Sequence, residues 1–547
     1  MSENRQIVRA AGVVGGLTLA SRVSGLLRDA VTAHFFGAGP AADAFFVAFR
    51  LPNLLRRLVG EGAMSVAFVP VFSRLLARGI PSAADAALGA AAGGFGAILL
   101  GLTLLGIAGA PAWLALLAPG FAADPATEAL AISLTRWLFP YLLLICLAAL
   151  YGAYLNARRH FLAPALSPVL LNLAIIAAAA TLTARLGVGA LVAGVLLGGA
   201  LQLGLQLVAL RADGVPVAPR WQPGHPALRR MLRLLAPTTI GAAMYQINVM
   251  LSTSLASLLP TGSVSALWYA GRLFEFPIGL VAVAIGTAAL PSFAAQAARG
   301  ARDEMRDSFG VALALINYLA VPASIALWLL AEPITAVLFQ RGAFDATDVL
   351  RTAGALQAYA VGLWALSLVR VAAPAFYALG DVRTPLWAAG AAFVANAVAS
   401  LALLGPLPPI AGSRVASAIA AAASACSVAA LAHVGLALAA SLAALVNAAW
   451  LLGPLARRMG GFPLRAVLGA LARSHAASLP MALVLLLLRG GVEWTASGGL
   501  VGKLAWLSLL IAAGGAAFAL TALVLGGSEA LALRRAVQGR LKRGAPN

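Results

Sequence analysis

The sequence is poor in charge. Only 10% of its 547 residues are Asp, Glu, Lys or Arg, where a soluble domain carries about 25%. So few polar groups cannot cover the surface of a water-soluble globule, and that class is excluded. Long polar tracts are missing too, and 62% of the residues are apolar, so the chain is not a disordered one. Lysine is nearly absent: Lys503 and Lys542 stand beside 36 arginines. Cysteine occurs twice, at Cys146 and Cys426, both in apolar stretches, which makes a disulfide framework or a thiolate metal site improbable. The five histidines (His34, His160, His225, His433 and His475) are far apart and lack metal-ligand spacing. No P-loop pattern G-x-x-x-x-G-K-[ST] is present, which excludes ATP hydrolysis by that route. The expectation is a non-enzyme with no cofactor and no bound metal.

What the chain has instead is hydrocarbon. Mean hydropathy is +0.93. Apolar segments run at about 7–35, 41–76, 88–118, 129–156, 162–184, 187–210, 228–259, 264–296, 307–339, 349–379, 384–405, 433–455, 465–488 and 500–526. Each is long enough for the ~20 helical residues that cross a bilayer. The predicted fold class is all-α: a polytopic membrane protein of about 14 transmembrane helices. The first segment holds Arg22, Arg28 and Asp29 and lacks a small-residue cleavage site, so it does not read as a cleavable signal peptide.

The net charge of +20 would suggest a nucleic-acid partner in a soluble protein. Here the bases sit mostly at the ends of apolar segments, where orientation and lipid head groups account for them. The expected partner is the lipid bilayer, with no nucleic acid. Alternate loops are rich in arginine, for example Arg158/Arg159, Arg299/Arg302/Arg306 and Arg457/Arg458, and the others are poor. The positive-inside rule then places both termini in the cytoplasm and requires an even number of crossings. A leftover apolar stretch at 406–432 would invert the arginines beyond it if it crossed. It is therefore expected not to make a simple crossing, and the Pro406/Pro408/Pro409 cluster fits a break there.

An internal repeat is visible. Asp43–Leu51 (DAFFVAFRL) resembles Ser265–Leu273 (SALWYAGRL), with Arg50 and Arg272 corresponding at an offset of 222. Pro70 precedes Arg78-Gly79 as Pro291 precedes Arg299-Gly300, by eight residues in each case. Six predicted helices separate the copies. An even number preserves orientation, so the repeats are parallel and suit two lobes working by alternating access.

Charges at depth carry the chemistry. Arg22 lies about fifteen residues into the first segment, where insertion costs at least ~2.5–3.5 kcal/mol. It either pairs with Asp29 or Asp43 or faces a wet cavity. Arg28 lies six residues further, about 9 Å along a helix. Asp43 falls in the first turn after Gly37–Pro40, where the helix dipole alone could explain it. Pro52 should kink the second segment. Arg56 and Arg57 follow it about 100° apart, so at most one faces a given cavity, and Glu61 comes next. Arg272 and Glu275 are spaced i,i+3, which permits either a private ion pair or a cavity role. Arginines outnumber carboxylates at depth, which favours an anionic ligand; guanidinium forks bind phosphate oxygens bidentately.

Several blocks closely resemble the MurJ/MviN family of bacterial lipid II flippases, within the multidrug/oligosaccharidyl-lipid/polysaccharide exporter superfamily. They are Ser21–Asp29 (SRVSGLLRD), Phe36–Gly39, Asp43–Arg57, Glu61–Pro70, Tyr269–Pro277, Gly286–Pro291, Phe339–Gly342 and Pro374–Tyr377. The likeness covers about residues 5–490. It implies a first lobe at 1–212, a second at 213–458 with an insert near 406–432, and a final helix pair with a basic tail at 459–547. It also implies a central cationic cavity for the head group of lipid II, the undecaprenyl-diphosphate-linked disaccharide-peptide. The polyprenyl tail would lie in an apolar groove reached from the second lobe and the last two helices. The family's functional arginines fall on Arg22, Arg28, Arg56 and Arg272, with Asp43 and Glu275 as acidic partners. Cell-wall synthesis and division proteins are further partners of this reading, and peptidoglycan biosynthesis its process. Ser252 stands where some members have a carboxylate associated with sodium, which puts such a site in doubt. The stretch 406–432 is an insertion relative to the family. The alternatives are a flippase for another polyprenyl-diphosphate-linked glycan, a drug exporter, a non-transporting scaffold for cell-wall enzymes and, more weakly, a membrane glycosyltransferase.

Overall fold

A computed structural model of the chain describes residues 3–57, 63–410, 412–496 and 498–526. Glu61 and the basic tail beyond 526 lie outside the described residues, as do the side chains of Arg5 and Arg9. Among the described residues there is no strand. The helices are α1 (Glu3–Phe36), α2 (Pro40–Leu55), α3 (Ala63–Ala77), α4 (Pro81–Ala108), α5 (Ala110–Leu117), α6 (Pro125–Leu138), α7 (Pro140–Ala157), α8 (Leu162–Leu186), α9 (Gly189–Ala212) and α10 (Pro226–Ser257). They continue as α11 (Ser263–Pro277), α12 (Val283–Ala298), α13 (Arg302–Leu329), α14 (Ala331–Phe339), α15 (Ala346–Ala378), α16 (Arg383–Leu404), α17 (Arg414–Cys426), α18 (Ala432–Arg458), α19 (Leu464–Arg489) and α20 (Leu500–Val524).

The all-α, polytopic class is as expected. Ten spans among the described residues are long and apolar enough to cross a membrane. Five of the apolar sequence segments divide into two helices, at positions where backbone chemistry dictates it. Pro140 opens α7 at its first position, where its missing N–H costs nothing. Past Pro52 the helix loosens into a π-type turn at Arg56–Arg57, and past Pro277 into a second at Ile278–Ala282. Such turns absorb the ladder bond that a proline removes.

The repeat extends far beyond the two short matching stretches. Helices α4 and α13 have 28 residues each, and the spans Pro125–Ala157 and Ala346–Ala378 have 33 each. Left-handed backbone recurs at Gly79 (φ +72°) and Gly300 (φ +68°), and again at Arg159 (φ +66°) and Gly380 (φ +74°). Each of these pairs is offset by 221 positions. The correspondence holds to the start of α16 and then breaks: α8 has 25 residues and α16 has 22. Residues 187 and 188 alone separate α8 from α9, whereas residues 405–431 separate α16 from α18. The leftover apolar stretch is therefore an insertion in the second copy. Its helix α17 has 13 residues, about 20 Å at 1.5 Å per residue, too short for a ~30 Å hydrocarbon core.

The described chain divides into two compact units. The first comprises residues up to Ser265 together with Arg341–Phe344 and Pro408–Ala420. In it α8 and α9 pack so closely that a Cβ on Gly194 would lie 2.7 Å from Ile175 Cα, and one on Gly198 would lie 2.6 Å from Leu171 Cδ1. The G-x-x-x-G spacing is thus a packing groove. Helix α10 lies in the same unit, against α3 and α4. The second unit comprises the remaining residues. Its core joins α12, α13, α15 and α18 around Phe293, Phe309, Ile316, Val371 and Phe376.

The second unit also buries one of the two lysines. Lys503 is 7% exposed. Its Nζ donates to Trp494 O at 2.7 Å, to Gln340 Oε1 at 3.3 Å and to Ala496 O. Gln340 in turn donates to Thr495 O, so one ammonium fastens the loop between α19 and α20 to the end of α14. A tetrahedral donor suits three acceptors spread in this way, and a planar guanidinium does not. Replacing Lys503 by Met leaves buried carbonyls unpaired and should cost on the order of 2–3 kcal/mol. A lower unfolding midpoint of the purified protein measures that loss, and Lys503→Arg should not restore it.

Candidate functional site

Arg28 is held by an acid on its own helix and an amide on another. It is part-buried on α1, and its Nη2 meets Asp29 Oδ1 at 2.6 Å while its Nε meets the same oxygen at 3.0 Å. Its Nη1 donates to Asn172 Oδ1 of α8 at 3.1 Å. Asn172 is buried, and its amide nitrogen donates to Ser21 O at 3.1 Å and Ser24 Oγ at 3.0 Å. A guanidinium has five N–H donors. Three are used here, and among the described residues two remain for a ligand.

Arg22 is exposed on the same helix and, among the described residues, has no ion pair. Its expected alternatives as pairing partners are engaged elsewhere, Asp29 with Arg28 and Asp43 at the start of α11. A private ion pair is therefore not the reason for Arg22. Arg56 is half-buried in the π-type turn, with Nε and Nη2 both donating to Asn53 Oδ1, at 3.0 and 2.9 Å. That bond fixes the direction of its side chain past the Pro52 kink.

Asp43 is 3% exposed. Its carboxylate accepts from Gly262 N at 2.7 Å, from Ser265 N at 2.8 Å and from Ser265 Oγ. It supplies from another helix what an N-cap residue would supply locally, satisfying the free amides of the α11 start. Asp43 and Ser265 are the corresponding positions of the repeat, and their chemistry differs.

In the second unit Arg272 Nη1 lies 3.2 Å from Glu275 Oε2, and its guanidinium sits 4.7 Å from the centre of the Trp268 ring. Both contacts orient the cation without burying it, since its side chain is 25% exposed. The same unit contains an apolar cavity of about 560 Å³ between α13, α15 and α19, lined by Val321, Ser324, Trp328, Val361, Trp364 and His475. Among the described residues no three His, Cys, Asp or Glu side chains gather as metal ligands do.

Reading the sequence missed Asn172 and Asn53. Both are neutral, and a search by the insertion cost of charges passes over them. The available signal was an Asn inside an apolar helix, where an unbonded amide is itself costly.

Comparison with known proteins follows from this geometry. The family described as lipid II flippase MurJ matches residues 32–510. The chain belongs to this family. Its members are flippases, transporters rather than enzymes. The lipid II flippase MurJ of Burkholderia cenocepacia is 40% identical over 70% of this chain and 75% of its own. The probable lipid II flippase MurJ of Vibrio cholerae is 38% identical over 72% and 77%. A solved lipid II flippase MurJ in an inward closed conformation superposes with a TM-score of 0.72 at 25% identity, over 94% of this chain and 97% of that one. An inward-facing multidrug transporter of the MATE family shares the fold alone, with a TM-score of 0.60 at 14% identity. The chain is thus a multi-pass membrane protein of the MurJ family.

Removing the Asp43 carboxylate should uncover the α11 start. Asp43→Ala is expected to cost about 2 kcal/mol, the upper range for a lost cap. Hydrogen exchange of the Gly262 and Ser265 amides should accelerate, while Asp43→Asn, which keeps an acceptor, should slow it again.

Proposed function

We propose that this chain flips lipid II, the lipid-linked peptidoglycan precursor, from the cytoplasmic to the periplasmic leaflet by alternating access. Its family and relatives support the substrate. Among the physical observations, Arg28 carries the reading: a part-buried guanidinium pinned by three hydrogen bonds, with two donors left over. A pinned fork with spare donors matches the oxygens of a diphosphate. Arg22, Arg56 and Arg272 add positive charge in this proposal. Glu275 holds Arg272, and Asp43 acts through the α11 start rather than on the ligand.

The lobes of the proposal are 1–212 and 213–458, followed by the pair at 459–547, with both termini cytoplasmic. The apolar cavity between α13, α15 and α19 is offered to the polyprenyl tail. Without a P-loop, drive comes from membrane potential, an ion gradient or removal of product. Cell-wall synthesis and division proteins are the protein partners this role implies. A drug exporter selecting organic cations would want carboxylates where this chain has arginines, and no observation favours a scaffold.

Alanine at Arg22, Arg28 or Arg272 should abolish growth of a strain depleted of its own flippase while membrane levels stay normal. Purified Arg28→Ala protein should bind lipid II at least about 10-fold more weakly, the scale of a lost charge-assisted hydrogen bond. Full growth with these variants would overturn the reading.

A further inference from the structure

We infer that Asn172 is a positioning residue for ligand capture: it sets the direction of Arg28 and so decides which two N–H groups face the ligand. The inference rests on the proposed lipid II reading, in which Arg28 contacts the diphosphate.

Asp29 alone cannot fix Arg28. It adjoins Arg28 in sequence, so the two side chains leave α1 about 100° apart. Both Arg28 donors that reach it converge on the single oxygen Oδ1. One acceptor leaves the guanidinium free to rotate about that contact. The Asn172 Oδ1 bond to Nη1 is a second fixed point, and two points define the plane's orientation. Asn172 is itself held. Its two amide hydrogens are occupied by Ser21 O and Ser24 Oγ, which settles which end of the amide is oxygen and presents it to the cation.

The side chain's neutrality matters as much as its position. A carboxylate at 172 would set two acids against Arg28 and compete with an incoming anion. Alanine would leave the guanidinium on one contact. An amide oxygen orients the cation without cancelling its charge, and its amide end satisfies α1 at the same time. No apolar or acidic residue of this size does both.

The test is a double-mutant cycle on purified full-length protein, with lipid II binding as readout and the unfolding midpoint measured alongside. Asn172→Ala is expected to weaken binding about 5- to 10-fold in the native background and by less than about 2-fold in the Arg28→Ala background. Such non-additivity marks action through a shared partner, and a merely structural loss would not produce it. Asn172→Asp should weaken binding more than Asn172→Ala, through competition for Arg28. Equal losses from Asn172→Ala in both backgrounds would overturn the inference and leave Arg28 as a ligand contact. If Arg28→Ala binds lipid II normally, the functional reading itself fails and the positioning role falls with it.

Discussion

A guanidinium held away from bulk water needs either a counter-charge or a ligand, and this constraint organises the first unit. Arg28 has a carboxylate on one side and an amide on another, and neither contact exhausts its donors. In the proposed reading the remaining donors are what an anion would meet. Arg22 shows the other limit: it is exposed, with no acid of its own among the described residues. Asp29 and Asp43 would be the obvious acids to neutralise it, yet each is engaged elsewhere. The excess of positive charge is thus a property of how the acids are assigned, beyond what counting residues conveys.

Asp43 shows how a repeat can be used asymmetrically. Its counterpart at the equivalent position is Ser265, and the two are hydrogen-bonded to each other. In a symmetric pair both positions would be Asp, and like charges would repel across the junction; two serines would leave the amides at the start of α11 under-satisfied. One carboxylate and one hydroxyl make a donor–acceptor match and cap a helix at once.

Much of the fold was legible before any coordinates. Composition alone required a membrane protein, and the apolar segments located nearly every helix. The breaks inside five segments were less visible. Pro52 signalled the turn at Arg56, but Pro140 lies inside a segment that hydropathy joins, so the division at Phe139–Pro140 was not read. The candidate arginines were found because charge at depth is costly and therefore conspicuous. Asn172 and Asn53 were not, since an amide carries no charge and hydropathy patterns register it weakly. The partners that orient a charged site are the part of it that sequence patterns express least. The buried Lys503 was a missed clue of another kind. In a chain that uses arginine almost everywhere else, a lysine within an apolar helix marks a need for compact, tetrahedral donation.

The insertion around α17 interrupts the repeat between its last two helices. From Gly79 to the start of α16 the helix starts and left-handed turns keep an offset of 221, one less than the 222 between Asp43 and Ser265. The largest divergence in length falls between α16 and α18. A helix of about 20 Å is shorter than the hydrocarbon core, which fits the expectation that the added residues make no simple crossing. That is the physical condition under which a membrane protein can accept an insertion. An extra segment that spanned the bilayer would have inverted every later helix and carried the arginines at 457–465 across with it. A short, alanine-rich α17 that alters only the connection is compatible with the topology expected from the arginine pattern.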